Sequence, residues 1–228
     1  MSFKEFVKEL NGERIEGELL KTIFISLITG ALTLGVLYFI KLKNVADFIP
    51  KYGFFLFFDI LSYALVIPAV RQVRAYREFA CMSGMMIGMT IGMIAGFLPG
   101  FFVGATNGMF YGSVFGMIIG ISLGIWTGKC CGIMGVMEGT MAGFMGGLMG
   151  AMTAIMMIND SLKAAGIVVF AVSAFIVFGL NYMIYFEMKE NEKQLKEDNF
   201  ITILLSFALT IITTWLVVYG PRSALFGG

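Results

Sequence analysis

The chain contains no histidine. That absence removes Ser-His-Asp catalysis, histidine-ligated zinc and imidazole proton relays. Charge is scarce as well, with 14% of residues ionisable as Asp, Glu, Lys or Arg, against about 25% in soluble domains. The two signs nearly cancel, and a net charge of +1 leaves no electrostatic footprint for nucleic acid. Cysteine occurs only at Cys81, Cys130 and Cys131, too few and too odd in number for a secreted disulfide scaffold. No phosphate-binding GxxxxGK[ST], no GxGxxG after a strand, no serine elbow and no HExxH is present. The seventh apolar run carries no lysine, which disfavours a retinal pigment. Nothing in the sequence predicts an enzyme.

What the chain has instead is apolar length. Hydrophobic residues make up 58% of it, and runs long enough to cross about 30 Å of hydrocarbon fall at 20–41, 53–71, 80–99, 101–127, 132–158, 163–187 and 200–219. The expected fold is an all-α integral membrane protein of about seven transmembrane helices, a polytopic domain over 21–220. The lipid bilayer is its first partner. Residues 1–20 place Phe3, Phe6, Val7 and Leu10 on one face, and predict an amphipathic segment lying at the cytoplasmic interface. Residues 221–228 are a short tail. The Leu98-Pro99-Gly100 stretch predicts a tight turn between the third and fourth runs.

Lysine and arginine set the expected orientation. Eleven of them fall on one side (Lys4, Lys8, Arg14, Lys21, Arg71, Arg74, Arg77, Lys129, Lys189, Lys193, Lys196) and five on the other (Lys41, Lys43, Lys51, Lys163, Arg222). The N-terminus is therefore expected in the cytoplasm of a cell-membrane protein and the C-terminus outside. All three cysteines then lie at the cytoplasmic edge, where thiols stay reduced.

The stretch 81–157 organises the rest. Glycine recurs every fourth residue at Gly84, Gly88, Gly92, Gly96, Gly100, Gly104, Gly108, Gly112, Gly116, Gly120, Gly124, Gly128 and Gly132, then at Gly135, Gly139, Gly143 and Gly147. In water each interior glycine would cost a helix about 1 kcal/mol. In lipid, small residues at this spacing let helix backbones approach closely. The expectation is a glycine-zipper core made by the third, fourth and fifth helices, whose faces could also join copies into a homo-oligomer. The segments 81–93 and 131–145 each open with cysteine and repeat Gly and Met, which raises a parallel duplication.

Methionine is nearly as regular. On a helical wheel Met134, Met141 and Met145 share a sector with Glu138, and Met82, Met85 and Met89 share one beside Cys81. Thiolates and thioethers are soft donors that select Cu(I) over Mg²⁺ or Ca²⁺, and a ladder of weak sites suits conduction. The MxxxM spacing on GxxxG helices resembles the transmembrane core of the high-affinity copper uptake transporters. The vicinal Cys130-Cys131 pair resembles that of the mercuric-ion transporters. Each resemblance covers a short motif, and neither family has seven spans. Together they imply a soft-cation path with Cu(I) as substrate and no other cofactor. Against this stands packing, since methionine is a flexible gap-filler.

Glu138 lies on the order of 9 Å inside its run at 1.5 Å per residue, where a carboxylate marks an ion pathway unless it is protonated or tied to Lys129. Asp59, near Tyr63, reads as a local hydrogen-bonding group. Three functions remain open: a soft-cation transporter or channel, a Glu138-dependent channel or carrier for protons, Na⁺ or a small polar solute, and a non-transporting scaffold that assembles through its glycine faces.

Overall fold

The structure, a computed structural model, describes residues 15–40, 52–76, 79–188 and 199–221. The amphipathic reading of residues 1–14, the charged 189–198 stretch, the 222–228 tail and the cations Lys41, Lys43, Lys51 and Arg77 lie outside them. Within them the chain is helical: α1 Ile15–Ile40, α2 Phe54–Ala75, α3 Cys81–Asn107, α4 Met109–Gly128, a 3-10 turn at Lys129–Cys131, α5 Gly132–Met156, α6 Leu162–Met188 and α7 Asn199–Tyr219. Six stretches are long and apolar enough to cross a membrane, and the longest, Met109–Met156, contains α4, the 3-10 turn and α5.

The expected turn at Leu98-Pro99-Gly100 is not there. α3 runs through Pro99 to Asn107, with all three residues buried. Proline removes one N–H and crowds the preceding turn, which in water favours ending the helix. In an apolar bundle a break would strand several backbone groups where no water can reach them, so the helix continues. The chain reverses instead at Gly108, whose φ of 94° suits glycine alone. Gly108, expected as a helix-packing residue, is therefore the α3–α4 turn. A second positive-φ glycine, Gly132 at 68°, starts α5 after the 3-10 turn.

α3, α4 and α5 meet backbone to backbone. A methyl group added to Gly120 would stand 2.8 Å from the Gly92 oxygen, 2.8 Å from the Gly96 Cα and 2.9 Å from the Gly143 Cα, so one position on α4 touches both neighbours. Along α3, added methyls at Gly92, Gly96 and Gly100 would meet the oxygens of Gly139, Gly143 and Gly147 at 2.8, 2.9 and 2.9 Å. These partners advance together, so α3 and α5 run parallel. α4 runs against both, pairing Gly124 with Gly139 and Gly112 with Gly104. At such separations Cα–H groups can face carbonyl oxygens across the helix interface, each contact contributing about 0.5–1 kcal/mol. The glycine faces of the three helices are turned toward one another within a single chain.

The other helices surround one side of this core. Phe58 of α2 packs at 6.2 Å from Phe102 of α3 and 5.7 Å from Phe170 of α6. On α6, Gly166 faces the rings of Phe101, Phe102 and Phe54. α1 and α7 run parallel, since the Ser26–Ser206 hydrogen bond at 3.3 Å is followed four residues on by Gly30 beside Thr210. One edge of the bundle gathers the end of α2, the starts of α3 and α7, the 3-10 turn and the end of α6. Arg71 there donates to Asn199 Oδ1 at 2.7 Å, the Arg74 guanidinium lies 4.7 Å over Trp126, and the Ala80 N–H donates to Glu187 at 3.2 Å.

At the opposite end Asn107 closes α3 onto α7, its Nδ2 donating to the Leu216 oxygen at 2.8 Å. Interhelical side-chain bonds in lipid average about 0.6 kcal/mol. Asn107→Ala is therefore expected to lower stability by roughly that amount, read by thermal unfolding in detergent, and to speed hydrogen exchange at the end of α7. No change at either readout would show that this bond does not hold α7.

Candidate functional site

The residues singled out from the sequence do not share one place. Cys81 is exposed at the first residue of α3, while Cys130 and Cys131 are half-buried in the 3-10 turn. Met82, Met89, Met134, Met141 and Met145 are all exposed, Met134 by 61% and Met141 by 68%, and Met85 is half-buried. Glu138 is exposed among them. The cause lies in the packing: on α5 the buried positions are all glycine or alanine, and on α3 the core-facing positions are taken by glycine, isoleucine, leucine and phenylalanine, so the methionines are left the outer arc. The thioethers form no inward ladder, and Glu138 faces away from the core. Among the described residues no group of three or more Cys, Asp or Glu side chains could hold a metal ion. Changing Met134, Met141 and Met145 together to leucine is expected to shift stability by no more than about 0.5 kcal/mol, as for surface substitutions, checked by thermal unfolding. A loss several times larger would show that these thioethers are packed.

The buried polar groups gather elsewhere, between α1, α2 and α7. On α7, Thr202, Ser206, Thr210 and Thr213 are all buried on one face. Thr22, Ser26 and Thr33 of α1 are buried as well, as are Asp59, Ser62, Tyr63 and Arg71 of α2. Arg71 closes one end, its Nη1 donating to Thr22 Oγ1 at 2.7 Å and to Asn199 Oδ1 at 2.7 Å. Ser26 and Ser206 bond in the middle, and Ser206 also donates to the Ser26 carbonyl at 3.1 Å. From Asn199 to Thr213 the seam is about 21 Å long at 1.5 Å per residue.

Asp59 stands at the far end. It is 2% exposed, and neither carboxyl oxygen has a hydrogen-bond partner. Tyr63 and Thr213 are its polar neighbours. Thr213 commits its hydroxyl to the carbonyls of Leu209 and Thr210 at 2.9 and 3.1 Å, and the Tyr63 hydroxyl is itself unpartnered. Beside Tyr63 a void of about 10 Å³ is lined by Ser62, Ala95, Leu98, Ile119 and Leu209 among others, close to the space one water needs. A wider apolar cleft of about 270 Å³ opens between α1 and α2 and includes Leu56 and Ile60, the neighbours of Asp59 on its own helix.

Sequence reasoning ranked Asp59 below Glu138 and did not register the seam. The signal was present: hydroxyl residues at 202, 206, 210 and 213, matched by 22, 26 and 33 with glycine at 30. That spacing marks one polar stripe on each of two otherwise apolar helices.

These observations define the class: an all-α apolar bundle, compatible with a multi-pass membrane protein, that encloses a polar seam ending in an unpaired carboxyl group. No family model, curated protein or solved structure matches the chain.

Proposed function

We propose that the chain crosses the membrane seven times and carries protons along the α1–α2–α7 seam, with Asp59 as the group that takes up and releases them. The single observation that carries this reading is the Asp59 carboxyl group, buried with both oxygens unpartnered. An ionisable residue inside a membrane bundle is costly and marks an ion or proton path by default. The seam offers hydroxyl groups at helical spacing toward Arg71. The reading follows the second alternative open from the sequence, with Asp59 in the place given there to Glu138. Seven crossings agree with the parallel course of α1 and α7 and of α3 and α5. The edge holding Arg71, Arg74 and Lys129 is placed in the cytoplasm, with the C-terminus outside, by the positive-inside rule.

The test is proton flux into proteoliposomes carrying an internal pH dye, driven by an imposed membrane potential. Flux is expected from the unaltered chain, from Glu138→Gln and from the chain with Cys81, Cys130 and Cys131 all changed to serine. It is expected to vanish in Asp59→Asn. Flux that persists in Asp59→Asn, or that disappears with Glu138→Gln alone, overturns the assignment.

A further inference from the structure

At the edge of the bundle where Arg71 closes the seam, the 3-10 turn brings two sulfur atoms to one spot. Cys130 and Cys131 both place Sγ over Gly84 in the first turn of α3: a methyl group on Gly84 would lie 3.1 Å from the Cys130 sulfur, and would collide with the Cys131 sulfur. The two thiols are close neighbours over this one position. Cys130 also donates to the Thr127 carbonyl at 3.2 Å, and Cys131 to the Ala80 carbonyl at 3.6 Å. Successive residues of a 3-10 turn point about 120° apart, so the two thiols meet by converging on the bare backbone of Gly84 and not by sharing one helical face. The absent side chain at Gly84 supplies the room.

We propose that Cys130 and Cys131 form a chelating dithiol site for a single soft d¹⁰ cation of the Cu(I) class. Two thiolate donors suit such a cation and offer little to Mg²⁺ or Ca²⁺, which need six or more oxygens. Among the described residues no third Cys, Asp or Glu completes a larger set, which fits a two-coordinate ion. On binding, two S–H bonds break, two S–metal bonds form, both protons leave to solvent, and no atom changes oxidation state. The site then carries one negative charge when the metal is Cu(I). Lys129, exposed as the immediate neighbour of Cys130, can offset it. Both thiols are only half-buried, so a cation can enter from the edge of the bundle. The exposed methionines take no part.

The experiment uses the full-length Cys81→Ser chain in detergent, where the pair is the only source of thiol, titrated with Cu(I) against a colorimetric Cu(I) chelator. One Cu(I) per chain should be held against the chelator, with two protons released for each. Further replacement of either Cys130 or Cys131 by serine should surrender the metal to the chelator completely. Gly84→Ala in the same background should weaken retention by about 10-fold, the scale of a supporting-residue change around a metal. Retention by either single-thiol chain, release of fewer than two protons, or an affinity unaltered by Gly84→Ala would overturn the site.

Discussion

Replacing Gly143 by valine is expected to lower stability by more than about 3 kcal/mol, beyond the usual range for an overpacked core. Any side chain at 143 is driven into the α4 backbone at Gly120 and Ile121, with the Gly120 carbonyl oxygen 2.6 Å from the first added carbon. A flexible side chain in the way could rotate aside. A peptide group cannot, so α4 and α5 must separate, and separation at one rung opens the rungs on either side. The matched control is Gly179→Val in α6, where an added carbon meets nothing within 4 Å. That change is expected to stay within about 0.5 kcal/mol, as for other unobstructed surface positions. Thermal unfolding of the two variants in the same detergent distinguishes backbone contact from a general intolerance of valine. Equal losses at both positions would show that close approach is not what these glycines provide.

Asp59→Leu should move stability and activity in opposite directions. An unsatisfied buried polar group costs about 1–3 kcal/mol, and removing it in favour of an apolar group of similar shape recovers much of that cost. Asp59 has no partner to leave behind, because Thr213 is bonded to its own helix and the Tyr63 hydroxyl is unpaired already. The variant is thus expected to unfold at a higher temperature than the unaltered chain, while its potential-driven proton flux falls to the level of empty liposomes. A residue kept for structure alone would give the reverse on the first measurement, losing stability on substitution. Gain of one property with loss of the other is the mark of a group held at a cost to the fold for the sake of function.

Much of the architecture could be read from residue order. The apolar runs placed the helices, and the four-residue glycine period marked α3, α4 and α5 as the segments able to approach most closely. What the period concealed was where they turn. Gly108 and Gly132 occupy the same four-residue series as Gly104 and Gly112, so the two positive-φ positions carry no mark of their own, whereas Pro99 advertises a break that the buried helix does not make. The candidate site was harder to see for a different reason. Methionine and glycine stripes on one helix show which residues share a face, but not which face turns inward. On α5 the smaller residues took the interior and left the sulfur atoms outside. Asp59 and the hydroxyl stripe of α1 lie on the first two helices and meet the stripe of α7 from the far end of the chain, a convergence set by tertiary packing.

The in-step arrangement of α3 and α5 limits how this molecule can move. Each rung seats a backbone atom of one helix in a notch of another, and successive notches are four residues apart, about 6 Å along the axis. Sliding either helix by less than one notch would unseat every rung at once. The triad therefore behaves as a stiff mast, and any working cycle must come from tilting or rotation of the helices leaning against it, α1, α2, α6 and α7.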